Sequence, residues 1–137
     1  MSISSIFKSI VATVGAALGY FFGEIDGFVY ALITFIVIDY ITGIMRAIIK
    51  KELSSDIGFR GIFKKICIFI IIGIGHMLDN LLFGEAGVLR SMIITFYIAN
   101  EGISIVENMA FLGVPIPTPL LNTLQQLKKK NEQNKEN

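Results

Sequence analysis

One segment of the chain, at about residues 91–112, sets charged and polar residues into a strongly apolar background. On a helical wheel of about 100° per residue, the polar side chains of this segment and its flank fall within about 120°. They are Arg90, Tyr97, Asn100, Glu101, Ser104, Glu107 and Asn108, while Ile94, Ile98, Gly102, Ile105 and Met109 lie on the other side. Such carboxylates and amides could pair with other helices, serve as ion or proton sites, or line a water-filled lesion.

Shorter polar faces occur in two other apolar segments. Asp39, Thr42, Gly43 and Arg46 share one helical face, and Gly73, His76, Asp79 and Asn80 share another. A carboxylate near the centre of a bilayer costs about 2.5–3.5 kcal/mol, so these groups need partners, water or protonation. The predicted polar intramembrane face therefore comprises Arg90, Asn100, Glu101, Ser104, Glu107, Asn108, Asp39, Thr42 and Gly43. Pairing within a single protomer explains these residues as well as a pore does.

The first apolar segment carries small residues at helical spacing. They are Ala12, Gly15, Ala16, Gly19 and Gly23. Small residues let helices approach closely in lipid, where van der Waals packing drives helix association. The ridge predicts helix packing, either within one chain or in a homo-oligomer.

The overall composition indicates that these polar residues lie in a membrane environment. Hydrophobic residues make up 53% and charged residues 17% of 137 residues, and the mean hydropathy is +0.68. A soluble domain of this size needs more polar surface. Cys67 and His76 are single residues of their kind, which predicts neither a disulfide nor a metal site. Basic residues are not interleaved with aromatic residues, so nucleic-acid binding has no support.

The apolar segments predict an all-α membrane protein with about four transmembrane helices. The spans are about 9–23, 27–45, 66–83 and 91–112, within a transmembrane domain of residues 1–117. The first span is short, but Ile3, Ile6 and Phe7 could extend it. If it lay in the membrane interface instead, three spans would remain. Residues 118–137 are predicted as a short amphipathic helix, with Leu120, Leu121, Leu124 and Leu127 on one side, and a disordered basic tail from Lys128.

The charges predict the orientation. Basic residues collect between Arg46 and Lys65 and in the tail, whereas the turns at Glu24 and Glu85 are acidic. By the positive-inside rule, the basic loop and both termini are cytoplasmic in a four-span, multi-pass protein. The three-span alternative would leave the N-terminus outside.

Several of these residues form a series that resembles a known family. Asp39, Thr42 and Gly43 are followed by Lys51-x-Leu53-Ser54-Ser55, by Gly58, Gly61 and Lys65, by Tyr97-Ile98-x-Asn100-Glu101-x-x-Ser104-Ile105-x-Glu107-Asn108, and by Gly113-Val114-Pro115-Ile116-Pro117. The series resembles the phage holin family that includes the toxin-secretion holins of clostridia, over about residues 35–128.

This resemblance implies a protein of the bacterial cytoplasmic membrane that oligomerises and opens lesions. An endolysin or a large toxin then crosses as the released cargo. The family has no catalytic residues to carry over, so no enzymatic activity and no cofactor are expected. The alternative function is a small ion channel or transporter that uses the intramembrane carboxylates. An intramembrane hydrolase is disfavoured because the GxSxG and HExxH motifs are absent.

Overall fold

The structure is a computed structural model that describes residues 1–84 and 87–136, with side chains as far as residue 133. The described residues form five α-helices and no strand: α1 (Ile3–Phe22), α2 (Gly27–Ile49), α3 (Ser55–Leu82), α4 (Val88–Phe111) and α5 (Thr118–Glu136). The all-helical prediction is confirmed. The predicted acidic turn at Glu85 lies outside the described residues.

Side-chain caps explain where the first three helices begin. Ser2, Asp26 and Ser54 each accept a hydrogen bond from the backbone N–H three residues later, at 3.2, 3.1 and 3.2 Å. Such caps satisfy amides that have no partner inside the helix. The fourth helix follows Gly87, which has a left-handed conformation and no capping side chain.

The four longer helices α1 to α4 alternate in direction. The end of α1 and the start of α2 meet the start of α4 at one end of the bundle, through Phe22, Asp26 and Arg90. At the other end, Arg46 of α2 meets Asn108 of α4. Between these ends lies an apolar core of Val29, Leu32, Ile36, Ile68, Ile72 and Ile94.

Outside this core, the surface is rich in exposed apolar side chains, such as Leu18, Phe28, Ile41 and Phe63. Two helices, α1 and α2, are long and apolar enough to cross a membrane. This finding suits a membrane protein but does not confirm four spans. The predicted N-terminal extension of the first helix is confirmed, because α1 begins at Ile3 and its 20 residues reach about 30 Å.

The third helix begins 11 residues before the predicted span. We expected residues 46–65 to form a basic loop, but α3 starts at Ser55 and only residues 50–54 separate it from α2. The Ser54 cap favours this early start, as does the pair of Asp56 and Arg60, which are 3.3 Å apart at i and i+4. As a result, Lys65 belongs to a helix and not to a loop.

The fifth helix is longer than predicted. We expected disorder from Lys128, whereas α5 continues to Glu136. The helix packs against α4, where Leu124 is buried with 6% of its surface exposed. Tertiary packing of one face explains how a mostly polar segment stays helical.

Candidate functional site

A network of buried charges joins α2, α3 and α4. The Lys65 ammonium donates hydrogen bonds to the Asp39 and Glu101 carboxylates. The exposed fractions of these three side chains are only 18%, 11% and 9%. One cation therefore bridges two carboxylates that are largely shielded from solvent. We call these residues, together with Thr42 and Asn108, the Lys65 cluster.

The amide of Asn108 completes the cluster from α4. Its Nδ2 donates to Asp39 Oδ1 at 3.3 Å and to Thr42 Oγ1 at 3.1 Å. Its Oδ1 accepts from Arg46 at 3.5 Å, and the Arg46 guanidinium lies 4.8 Å from the centre of the Phe111 ring. Each buried polar group of the cluster thus has a partner, as groups in a low-dielectric region require.

Helical spacing explains why these residues converge. Asp39, Thr42 and Arg46 follow one face of α2, and Glu101 and Asn108 are two turns apart on α4. On α3, Gly61 lies one turn before Lys65, and a Cβ at Gly61 would lie 3.3 Å from the Tyr40 ring. The small Gly61 therefore leaves room on α3 for the Tyr40 ring of α2 beside the cluster.

Two clefts reach the cluster from different sides of α3. One, of about 280 Å³, is lined by Asp39, Ser104 and Asn108 among others. The other, of about 550 Å³, is lined by Tyr97 and Glu101. Lys65 lines both clefts, so the buried charges lie between them.

A sequence model described as the bacteriophage holin family matches residues 16–129. The chain belongs to the bacteriophage holin family. The residues that form the cluster, including Lys65, all lie inside the matched region.

Individual relatives cover most of the chain. An uncharacterized protein of Clostridium perfringens (strain 13 / Type A) is 46% identical over 121 residues, which are 88% of this chain and 90% of the relative. An uncharacterized protein of Listeria innocua is 44% identical over 119 residues, 87% of this chain and 84% of the relative. A probable holin of Bacillus phage phi105 is 35% identical over 120 residues, 88% and 87% of the two chains. No solved structure matches this holin-family chain.

A second charged group lies at the opposite end of the bundle, around Arg90. Its Nε donates to the Phe22 carbonyl at 2.7 Å, its Nη2 donates to the Glu24 carbonyl, and its Nη1 lies 3.3 Å from Asp26. The backbone amides of Leu89 and Arg90 donate to Asp79 at 2.8 and 2.9 Å. Asp79 therefore supplies from α3 the cap that Gly87 cannot give to α4. We call Arg90, Asp79 and Asp26 the Arg90 clamp.

Within the clamp, Asp26 lies outside the predicted spans. Burial acts to raise the pKa of Asp26, but hydrogen bonds from the Val29 amide and from Arg90, with the nearby positive charge, lower it more. The net result is an Asp26 pKa below its ordinary value, so the ion pair with Arg90 persists well below neutral pH.

The structure separates the predicted site residues into distinct groups. Asp39, Thr42, Glu101 and Asn108 come together, with Gly43 beside Asn108: a Cβ there would lie 3.7 Å from Nδ2. Arg90 belongs to the clamp at the other end. Three further residues, Asn100, Ser104 and Glu107, make no hydrogen bond or ion pair with another described side chain; Asn100 and Ser104 are half-buried and Glu107 is exposed.

Most of the small residues of the predicted packing ridge on α1 have free space beside them in the described chain. Ala12, Gly15 and Ala16 are exposed, and a Cβ at Gly15 or Gly19 would meet nothing within 4 Å. Gly23 differs, because its φ of +79° favours glycine and an added Cβ would lie 2.9 Å from the His76 ring. The close contact of α1 is made elsewhere, where the Phe21 ring fills the space over Gly73.

Sequence reasoning missed Lys65 as a site residue and placed it among cytoplasmic loop charges. A signal was present, because Gly58, Gly61 and Lys65 follow i, i+3 and i+7 and share a helical face. A lysine on the small-residue face of a helix predicts an inward-facing charge. The two acidic residues on the facing helices then supply its partners.

Proposed function

We propose that this chain acts as a holin: it oligomerises in the bacterial cytoplasmic membrane and opens lesions through which an endolysin or a large toxin crosses. The observation that carries the proposal is the Lys65 cluster. It places three ionisable side chains in contact with one another beside the apolar core of the bundle. In the closed protomer these groups satisfy one another.

The chemistry of the cluster allows a second arrangement. Lys65, Asp39 and Glu101 bind each other only through side chains, which change partners without breaking any helix. Neighbouring protomers or water can replace these partners when the bundle loosens. We propose that the Lys65 cluster closes the single protomer and lines or triggers the lesion in the assembly, so the cost of burying charge is met in both states.

We propose a four-span arrangement with both termini in the cytoplasm. The alternating directions of α1 to α4 support it, since Arg46 and Asn108 then lie near the cytoplasmic side and the Arg90 clamp lies near the outer side. Alkaline phosphatase and fluorescent-protein fusions at the N-terminus, Glu24, Glu52, Glu85 and the tail test this topology. An external N-terminus would replace it with the three-span arrangement.

We assign oligomerisation to the open face of α1. Gly15→Leu adds a side chain where a single protomer has free space, so the fold should persist while close approach between protomers is blocked. Cross-linked oligomers should decrease at unchanged protein level. Gly73→Leu is the contrast, because a Cβ there would lie 2.0 Å from Phe21 and should reduce the amount of folded protein. Undiminished oligomers in Gly15→Leu would contradict the assignment.

Two glutamates test the cluster itself. Glu101→Gln keeps the volume of the side chain but weakens its bond to Lys65, a charged contact of about 1.5–3 kcal/mol. We expect earlier loss of membrane potential per molecule of membrane-inserted protein. Glu107→Gln is the matched control, because Glu107 is exposed and lies outside the cluster.

Membrane-potential dye and immunoblotting on the same cultures give the rate per molecule. If the cluster is only intramolecular glue, Glu101→Gln should lower the protein level and leave the rate per molecule unchanged. That result would remove the functional role of the cluster.

The second candidate is a small ion channel or transporter. The two clefts that meet at Lys65 favour it, since they bring solvent-accessible space to both sides of a buried charge. Co-expression with a cytoplasmic endolysin that lacks an export signal separates the two functions. A holin gives depolarisation followed by lysis, whereas a channel gives depolarisation with intact cells.

A further inference from the structure

The fifth helix covers a face of α4 on which glycine permits an unusually close contact. A Cβ at Gly102 would lie 2.7 Å from Leu124 of α5 and 3.2 Å from Phe35 of α2. Leu124 is buried, whereas Leu120 on the same helix is exposed. The α5 helix therefore packs along α4 through one face, on which Leu124 is buried and Leu121 and Leu127 are half-buried.

This docking leaves a polar group without a partner. Further along α5, Asn131 lines a cavity of about 260 Å³ together with Met92, Ile93 and Phe96 of α4. Within the described part of the chain, the Asn131 amide nitrogen is buried and has no hydrogen-bond partner. An unsatisfied buried donor opposes docking, so the contact is weaker than its apolar part alone would make it.

Docking also conflicts with full insertion of α4 into a bilayer. Leu124 lies over Gly102 and Asn131 lies near Met92, so α5 runs back along α4. The exposed Lys128, Lys129 and Lys130 are then carried to the depth of a predicted span. Lysines are strongly disfavoured there but are attracted to anionic headgroups at the membrane surface.

From these contacts we infer that α5 is a releasable strap over a protomer–protomer interface, and that α1 of a second copy replaces it on the Gly102 face of α4. The inference rests on the proposed oligomerisation. Once released, α5 lies on the membrane surface with its leucines in the interface and its lysines among the headgroups. The uncovered Gly102 face then accepts a helix at close range.

The first helix, α1, suits the Gly102 face of α4 because most of its side chains are free to make contacts and its small residues lie at the same depth in the membrane. It has no buried residue within its own protomer. Ala12 lies nine residues after the start of α1, and Gly102 lies nine residues before the end of α4. With the N-terminus and the end of α4 both on the cytoplasmic side, the two residues lie at the same depth. Because the two faces differ, the contact is heterologous and extends from copy to copy into rings or arcs.

A reversible lock tests the strap. Leu124→Cys and Gly102→Cys are introduced together with Cys67→Ser, which removes the exposed native thiol. The purified protein is oxidised, reconstituted into vesicles of phosphatidylethanolamine and phosphatidylglycerol, and assayed for release of an entrapped dye. We expect no release until a reductant opens the disulfide. The Cys67→Ser chain receives the same oxidant and reductant as the control.

The outcomes separate the two proposals. Equal release by the oxidised and reduced protein overturns the strap and leaves the proposed holin function standing. Absence of release from the reduced protein and from the Cys67→Ser control overturns the holin function, and the strap falls with it.

Two substitutions should change the rate of dye release in opposite directions, which a general loss of folded protein would not do. Leu124→Ala should speed release roughly tenfold or more per molecule, since losing a buried leucine shifts a two-state equilibrium by at least that factor. Asn131→Leu removes the unpartnered amide and should slow release. Leu120→Ala is the matched exposed control. Changes in the same direction, or no change in either, contradict the strap.

Mixing two variants tests whether α1 of a second copy is the helix that replaces α5 on α4. One carries Ser5→Cys on α1 and the other Met109→Cys on α4, each with Cys67→Ser. Each of these positions lies two residues from the cytoplasmic end of its helix. Oxidation in vesicles should give a disulfide-linked heterodimer only in the mixture. Dimers of either protein alone in place of the heterodimer, or monomers throughout, would overturn the assignment of α1.

Discussion

The two charged regions of the bundle contain similar residues but are built in different ways. In the Lys65 cluster, the contacts of the ammonium are made with side chains on α2 and α4. In the Arg90 clamp, the guanidinium binds the carbonyls of Phe22 and Glu24, and Asp79 binds two backbone amides. The clamp is therefore held by bonds to backbone atoms, whereas the cluster is held by bonds between side chains that can rotate.

This difference assigns distinct roles to the two ends. A network of side chains can exchange partners while each helix remains intact, which suits a site that changes between protomer and assembly. A charged group that satisfies backbone atoms can be released only by moving the turn or helix end that carries them. We therefore expect the clamp to hold the α1–α2 turn and the start of α4 together in both states.

The largest effect should come from removing the cation of the cluster. Lys65→Met leaves Asp39 and Glu101 buried without a countercharge, which costs about 3–5 kcal/mol for a broken buried pair. The triple substitution Lys65→Met, Asp39→Asn and Glu101→Gln is neutral and should recover most of the free energy of unfolding. Thermal unfolding in detergent measures the recovery. In cells, the rescued protein should accumulate but no longer permeabilise on schedule.

Failure of the triple substitution to recover stability would show that the cluster is anchored as firmly as the clamp. Recovery of stability together with normal timing would leave the cluster with a structural role alone. Either result would remove the distinction between the two regions.

Arg90→Met should lower the free energy of unfolding by less than Lys65→Met does, and a second, neutralising substitution should not restore it. The substitution leaves the Phe22 and Glu24 carbonyls without their donor. Glu24 is exposed and water can bind its carbonyl, so the loss is that of one unsatisfied buried group, about 1–3 kcal/mol. Neutralising Asp26 by Asp26→Asn cannot restore these bonds, because the carbonyl acceptors stay in place. The same unfolding assay should give a double variant no more stable than Arg90→Met. A recovery like that of the triple variant would mean that Asp26, and not the backbone, is the main partner of Arg90.

Helical periodicity predicted which side of a helix each charged residue occupies, but not which residues lie at the same height along the bundle. The wheel placed Arg90 and Glu101 in one sector, but the rise of 1.5 Å per residue separates their Cα atoms by about 16 Å. For this reason one belongs to the clamp and the other to the cluster. Asp39, Thr42, Glu101 and Asn108 were predicted together and are found together, because α2 and α4 run parallel and equivalent positions along them meet at the same depth.

Two other features were not predicted from the distribution of charge and hydropathy. Lys65 was assigned to a loop because basic residues surround it, and its helical state rests on a cap eleven residues earlier, at Ser54. The length of α5 depends on the fit of Leu124 over Gly102. The first is a local signal that the clustering of charges obscured, whereas the second is a tertiary effect that overrides the local preference of a polar, charged segment.

The smallest expected effect concerns pH and the clamp. The folded-state pKa of Asp26 is lowered, so the carboxylate contributes stability that is fully present above its unfolded pKa of about 3.9. This contribution is lost as the pH falls through the lower folded pKa. Because the side chain is 37% exposed, solvent screens the pair with Arg90 and the change in unfolding temperature should be slight. Asp26→Asn should be less stable than the unsubstituted chain at pH 7, and the difference attributable to ionisation should shrink between pH 4 and pH 2. Equal stability of the two proteins over this whole range would assign the role of Asp26 to its helix-capping bond with Val29, which asparagine also makes.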